Sequence, residues 1–379
     1  MSTYALIAAD LLTGRIIAEL PFAELQYANA VNASGTLNAS VRLDGLDASV
    51  VQTITSGTVP ARSCLYVERD GVLVWGGPVW GRKYNSEDRV LHLDGTEFLS
   101  LFDKFYLTDN LAFRAGTDYA QVARALVQYA QSKETNADFD IIPVNPFFAT
   151  GSTLPTNTIS FYYGDEGKSI TQCLLDLANL DGGPDFSVSV GYEGTSIVRR
   201  FHVGNDVDSN RAGTRYSVAG TSLRVGIDAD GFELLEDGWA VGNYAFQIGS
   251  PPEGSVDGTR PPTSSYGVTE AYSQGWPRLE SMEARQDVSE VSALTAFAKS
   301  NAEAYWLPAV SLKSKVTIRS DNFTNYNVGD EVRIELESNQ DPRWPDGLNV
   351  YARIAERKVT VNSSGEVVEA TMITEDTVL

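Results

Sequence analysis

LYVERDGVLVWGGPVW, residues 65–80 of the 379-residue chain, reads as a strand, a two-residue turn and a second strand. Asp70-Gly71 is the signal, because both residue types tolerate the positive φ angles of a tight hairpin turn. The turn predicts that Arg69 pairs with Val72, Glu68 with Leu73, Val67 with Val74 and Tyr66 with Trp75. One face then carries Leu65, Val67, Val72 and Val74, the other Tyr66, Leu73 and Trp75. A strand that meets solvent on one side keeps that side polar. Neither side is polar here, so the hairpin is expected to be covered twice, by a second sheet or helix of the same chain or by a neighbouring subunit.

Flanking segments extend the β reading. YALIAADLLTGRIIAELPF (4–22) reads as a hairpin about Thr13-Gly14, and TLNASVRLDGL (36–46) sets Leu37, Ala39, Val41 and Leu43 on one face. Gly76-Gly77-Pro78 reads as an interruption of the second strand, as a bulge or sharp bend makes. The strand resumes from Val79 to Tyr84, and RVLHLDG (89–95) returns after a polar turn. This pattern predicts an antiparallel barrel or sandwich.

At Gly116-Thr117 the period changes: Tyr119, Val122, Ala123, Leu126, Val127 and Ala130 follow helical spacing. A second helix is expected from about Ser169 to Leu180, stopped by Asp181-Gly182-Gly183-Pro184. With FDIIPV (139–144), TISFYYG (158–164) and DFSVSVGY (185–192), these helices make an α+β unit. Strands resume at SIVRRFHV (196–203), TRYSV (214–218), SLRVGID (222–228) and NYAFQIG (243–249). The stretch from Ser250 to Pro277, rich in Pro, Gly and Ser, exceeds an ordinary connection and reads as a functional loop or linker. A third helix is expected at 289–306, with Asp287 or Ser289 as cap and Val291, Leu294, Phe297, Ala298 and Tyr305 facing inward. The remainder is β again, at 314–320, 330–338, 350–361 and 366–373.

Composition narrows function. Lys plus Arg number 29 against 50 Asp plus Glu, a formal charge of −21, which repels phosphate backbones and argues against a high-affinity nucleic-acid grip. Two cysteines, Cys64 and Cys173, exclude a disulfide scaffold or a cysteine-rich zinc module. Cys173 falls on an apolar helical stripe with Ile170, Leu174 and Leu177 and reads as core, and Cys64 opens the quoted hairpin. The apolar run from Tyr4 to Ala9 is far too short for a membrane span and lacks a basic lead, so folding in the cytoplasm of synthesis is expected.

The motifs that suggest chemistry are incomplete. FYYGDEGKSITQCLLDL (161–177) carries Gly167-Lys168-Ser169 before a helix, like the end of a phosphate-binding loop, but Tyr162 stands where the pattern needs Gly. Ser169 is better read as a helix cap. Asp206, Asp208 and Asn210 start like a calcium loop, yet Gly213 comes late and Ser217 replaces the closing Glu; Asp228 and Asp230 are weaker still. His92 and His202 stand singly in strands and share no metal-ligand spacing, and no Gly-x-Ser-x-Gly elbow occurs. Glycoside hydrolysis needs only two nearby carboxylates, and Trp239, Trp276 and Trp344 sit in polar surroundings where they can stack on sugars or anchor an interface. No residue is assigned a catalytic, cofactor-binding or metal-binding role, and no cofactor is expected.

The order of the strand segments resembles a known family. TGRIIAELPF (13–22), VNASGTLNASVRLDG (31–45), the segment at 60–84, LHLDGTEFLSLFDK (91–104), SSYGVTEAY (264–272), AEAYWLPAV (302–310), YNVGDEVRI (326–334) and the terminal strands at 352–373 together resemble the tail hub, or minor tail, proteins of long-tailed bacteriophages. The resemblance implies a mainly β fold with α+β parts: two tube-like antiparallel barrels and smaller accessory domains. It divides the chain into a first barrel at 1–110 completed by strands in 200–240, an α+β insertion at 111–199, a second barrel region at 241–310 with loop 250–277 and helix 289–306, and closing strands at 311–379. It further implies a structural virion protein without enzymatic activity. The expected assembly is a homotrimer at the tail tip, in contact with the distal tail protein, the tape measure protein and tip or receptor-binding proteins. The genome would leave through the ring without being read, after assembly in the host bacterial cytoplasm. No hydrolase extension is expected beyond the last strands. A carbohydrate-active enzyme or a glycan- or receptor-binding tail module is the alternative.

Overall fold

The computed structural model describes residues 2–113, 117–143, 161–179, 184–204, 222–252, 254–256, 258–285, 288–316 and 326–373. The strand at 214–218, the Asp206–Asn210 motif, the stop at 181–183 and Asp287 lie outside them. Two compact units are present: Met1–Phe232 with Lys313–Asp376, and Glu233–Leu312.

The larger unit is built on a sheet whose antiparallel path runs through Gly365–Ile373, Leu348–Asn362, Phe22–Ala30, Thr36–Arg42, Val90–Thr96, Val72–Asn85, Ser63–Arg69, Tyr4–Asp10 and Ile16–Leu20. Alternation decides its inner face. Leu37, Ala39 and Val41 are buried as expected, and they meet Leu6, Leu25, Tyr27, Leu65, Val67, Leu93 and Val359 in one core. The sheet rolls around that core, because strands far apart along the hydrogen-bonded path touch. Glu366 accepts hydrogen bonds from Arg69 Nε (2.8 Å) and from the Tyr4 hydroxyl.

The quoted hairpin forms at Asp70-Gly71, with φ of +51° and +82°, and pairs Arg69 with Val72 and Glu68 with Leu73. Beyond that the expected register fails. A bulge leaves Val74 unpaired, so Val67 faces Trp75 and Tyr66 faces Gly76. The bulge moves Trp75 to the side of Leu65 and Val67, where its indole Nε1 donates to the Ala28 carbonyl (2.9 Å). Nor do Gly76-Gly77-Pro78 interrupt the strand, which is continuous over Val72–Asn85. They mark close approaches: a Cβ on Gly76 would lie 2.7 Å from Val190 Cγ1, and one on Gly77 1.8 Å from the Thr96 carbonyl oxygen. There the strand changes partner from Ser63–Arg69 to Val90–Thr96.

The other face of the hairpin, with Cys64, Tyr66 and Leu73, is covered by the chain itself. Phe98 and Phe102 of a 3-10 turn, the helices Tyr119–Gln131 and Ile170–Ala178, and Phe186 and Phe201 of the sheet Asp185–Glu193/Ser196–Gly204/Ile141–Pro143 make one core with it. All six periodic positions of the first helix are buried. One helix was not legible: Ala48–Gly57, whose Val50, Val51, Thr53, Ile54 and Thr55 favour strand, is held by burial of Ile54 and Gly57.

In the smaller unit the 250–277 stretch is not one loop. It includes the strand Thr263–Gly267 and the short helix Thr269–Ser273. The strands order as Thr263–Gly267, Tyr244–Ile248, Glu280–Ala284, and the helix Val291–Tyr305 packs on one side. Leu294 and Ala298 face inward as expected, but Val291 (53% exposed) and Tyr305 (47%) do not, and Ala302 takes the last buried position. Glu290 precedes this helix without a capping side-chain hydrogen bond, so the Ser289 cap is not made.

Candidate functional site

The residues that set the geometry of the larger unit are buried charges at the junction between its rolled sheet and its α+β part. Arg199 is central. Strand Ser196–Gly204 alternates, so Arg199 points inward with Phe201 and Val203 and is 3% exposed. Its guanidinium donates to the Tyr66 hydroxyl from Nε (3.0 Å) and Nη2 (2.9 Å), and from Nη1 to the carbonyls of Leu11 (3.0 Å) and Phe139 (2.7 Å). It also stacks on Phe98, 4.3 Å from the ring centre. One planar fork thus ties the hairpin, the first strand's exit and the α+β sheet together, which a lysine ammonium cannot do.

A second tie runs through Asn32. Its backbone N–H donates to the Phe186 carbonyl (3.0 Å), its Oδ1 accepts from the Phe186 N–H (2.9 Å), and its Nδ2 donates to Asp185, which also pairs with Arg353. The turn that holds Asn32 is itself fixed by Glu97. That carboxylate accepts from Asn29 Nδ2 (2.8 Å), Gly35 N (2.8 Å) and Ala30 N (3.3 Å). Burial pushes the Glu97 carboxyl up to about 7, against the pull of those donors and of Arg357. Arg357 in turn donates to Asn29 Oδ1 (3.2 Å) and Asn327 Oδ1 (3.0 Å).

The motifs weighed in the sequence are not assembled into a site. Ser169 caps its helix through a capping box with Gln172. Lys168 Nζ sits between Glu166 (3.1 Å) and Asp176 (3.0 Å); burial lowers its pKa, but these carboxylates outweigh it and raise the value, leaving the ammonium committed to them rather than to a phosphate. His92 Nδ1 lies 3.1 Å from Ser40 Oγ across the sheet, and His202 Nε2 2.6 Å from Ser189 Oγ. Asp228 closes a turn by accepting from Arg224 N (3.1 Å) and Nε (2.8 Å). Among the described residues no group of three His, Cys, Asp or Glu side chains is placed to hold a metal. Cys64 and Cys173 are buried, and burial pushes the Cys173 thiol up to about 12 and raises Cys64 as well. The three tryptophans are not brought together: Trp276 packs on the alanine core of the small unit, Trp344 lies 5.4 Å from Phe232, and Trp239 is 95% exposed. No helix among the described residues is long and apolar enough to cross a membrane.

These observations define a mainly β protein, a rolled antiparallel sheet with an α+β part fused to it by buried arginines, whose described residues show packing and pairing where catalytic motifs were weighed. No family model and no curated protein matches the chain. Among solved structures it is similar to the 43 kDa tail protein of prophage MuSo2 from Shewanella oneidensis, with a TM-score of 0.59 and 10% identity over 98% of both chains. It is also similar to a tail protein from Neisseria meningitidis MC58 (TM-score 0.58, 13% identity, 98% of this chain and 96% of that one). A third is the prophage tail protein gp18 from Listeria monocytogenes EGD-e (TM-score 0.55, 12% identity, 98% and 95%). The chain has the fold of phage tail proteins. The resemblance read from strand order, and the mainly β class with α+β parts, are borne out at the level of fold.

Proposed function

We propose that this protein is a structural component of a phage tail, the central hub at its distal end, and that it acts without enzymatic chemistry. The observation that carries this reading is the extent of the fold likeness, nearly the whole of this chain on nearly the whole of each of three tail proteins. In this reading three copies form a ring that continues the tail tube, and the strands of each chain supply two tube-like barrels. The distal tail protein, the tape measure protein and tip proteins bind its faces, and genomic DNA leaves through the opening. The formal charge of −21 supports the last step, because an acidic wall repels the phosphates that slide past it. The doubly covered hairpin gives the ring a rigid wall, since both its apolar faces are filled within one chain.

The test is electron microscopy of the purified full chain at high concentration, alone and with its tail partners, classified without imposed symmetry. Three-fold rings with an open centre are the expected result. Compact particles without a hole that persist in the presence of the partners would overturn the hub reading.

A further inference from the structure

Glu97, between the strand Val90–Thr96 and the 3-10 turn Phe98–Lys104, is 4% exposed, and the groups that bond its carboxylate among the described residues are all donors. Oε2 takes two backbone N–H groups, those of Gly35 (2.8 Å) and Ala30 (3.3 Å), and Oε1 takes Asn29 Nδ2 (2.8 Å). This set suits an ionised carboxylate, and a proton added to it meets no acceptor. Burial holds the carboxyl at about 7, so both forms occur near neutrality. A backbone N–H cannot change role. The Asn29 amide can, because half a turn exchanges its donor for its acceptor. Asn29 and Arg357 stand opposite each other on paired strands, and Asn29 Oδ1 accepts from Arg357 Nη2 (3.2 Å) while Nδ2 also donates to the Val74 carbonyl (3.2 Å). Turned over, the amide offers Oδ1 to a protonated Glu97 and sets Nδ2 against the guanidinium, donor against donor.

We propose that Glu97 and Asn29 form a proton-operated latch: uptake of a proton by Glu97 turns the Asn29 amide, pushes Arg357 off it, and so unpins the segment Tyr326–Asp330 from the turn 29–35. Arg357 is the link, because the same guanidinium donates from Nη1 to Asn327 Oδ1 (3.0 Å) and to the Tyr326 carbonyl (3.4 Å). That segment is completed by Asp330, whose carboxylate accepts from Asn327 N (3.3 Å) and whose carbonyl accepts from Ile354 N (2.9 Å). The charged surroundings fit a single responder. Arg357 is the charge that acts on Glu97, and Arg357 is itself acted on by Asp330, Tyr27 and Tyr4, the last bonded to Glu366 with Arg69. Asp185 and Arg353 pair at Asn32. The histidines bond elsewhere, His92 to Ser40 and His202 to Ser189. Protonating a carboxyl whose affinity for the proton is raised by the fold strengthens the fold as a whole, so a local loosening in acid is distinct from general weakening.

The test is amide hydrogen exchange of the full chain, read by mass spectrometry at pH 5.5 and 8.5 and corrected for the intrinsic effect of pH on exchange. The reporters are Gly329 N, which donates to the Ile354 carbonyl (2.8 Å), and Asp330 N, which donates to the Asn327 carbonyl (3.1 Å). Wild type is compared with Asn29→Asp, which offers acceptors to both Glu97 and Arg357, and with Asn29→Ala, which has no amide to turn. In the wild type the protection of these amides should fall about fivefold or more from pH 8.5 to 5.5. Asn29→Asp should keep them protected at both pH values, and Asn29→Ala should leave them loosened at both. Should the Asp variant fail to fold, the Ala variant carries the comparison. Wild-type protection that does not change with pH would overturn the latch. So would a pH response that survives in either variant, since it would then come from another group, the histidines included.

Discussion

The hairpin Ser63–Arg69/Val72–Asn85 and the small sheet of Thr263–Gly267, Tyr244–Ile248 and Glu280–Ala284 both carry apolar side chains on two faces, yet the chain treats them differently. The hairpin is buried between two cores of its own unit, one containing Trp75, Leu65 and Val67 and the other Tyr66 and Leu73. The small sheet has a helix on one side, where Ala245 packs with Tyr266 and Trp276, and on the other Phe246, Ile248 and Met282, the last of them 74% exposed. Two-sided apolar patterning therefore states only that cover is required. Whether that cover comes from the same chain depends on distant segments, here the α+β part, that local sequence does not name.

The sharpest way to break the comparison is to charge the covered face. Trp75→Asp places a carboxylate where the side chain is 1% exposed and removes the bond to Ala28, so a loss of more than about 4 kcal/mol is expected. The chain should then show no cooperative urea transition by circular dichroism. A variant that unfolds like the wild type would mean that the hairpin is not sealed as described. Next in size, Arg199→Met strands the Leu11 and Phe139 carbonyls in the core and should cost about 3 kcal/mol, with Arg199→Lys recovering only part. The urea midpoint measures both, and an unshifted midpoint for Met would show that apolar packing alone joins the two cores.

Much of this was legible, and what was missed has a common cause. The helix Tyr119–Gln131 and the strand Thr36–Arg42 obey their periods because each has a single apolar stripe or face. The bulge at Val74 was not legible, because it is set by where Trp75 finds the Ala28 carbonyl and by how closely Val190 approaches Gly76, both non-local. Arg199 left a signal that was not used. In SIVRRFHV, alternation puts it on the inward face with Phe201 and Val203, and a charge in that position announces a buried tie. Arg357 left the same signal beside Val359 in RIAERKVTV, and it is 5% exposed.

Acidity sharpens the comparison by a smaller amount, because the covered side holds a titrating group. The Glu97 carboxyl rests at about 7 in the fold against an ordinary value of 4.5. The folded state thus binds this proton more tightly than the unfolded chain does. The stability linked to it is fully present below pH 4.5 and is lost as pH rises through about 7, on the order of 3 kcal/mol in all. Glu97→Gln should lower stability at acid pH by removing acceptor oxygen from Gly35 and Ala30, yet flatten the fall between pH 5 and 8. Parallel urea titrations at several pH values measure the difference in slope. Equal slopes in wild type and variant would mean that Glu97 is ionised throughout.

The smallest effect separates position from patterning within one hairpin. Val72 lies beside the turn, belongs to the same apolar series as Val67, and is 61% exposed, much as Met282 is on the small sheet. If exposure rather than sequence pattern decides energy, Val72→Thr and, in dilute solution, Met282→Thr should each change stability by less than about 0.5 kcal/mol. Thermal melts at low protein concentration provide the reading. A larger loss at Val72 would show that the turn end of the hairpin is covered as well, by a neighbouring molecule. A larger loss at Met282 in dilute solution would move the small sheet into the class of the hairpin, covered by its own chain, and the difference between the two regions would disappear.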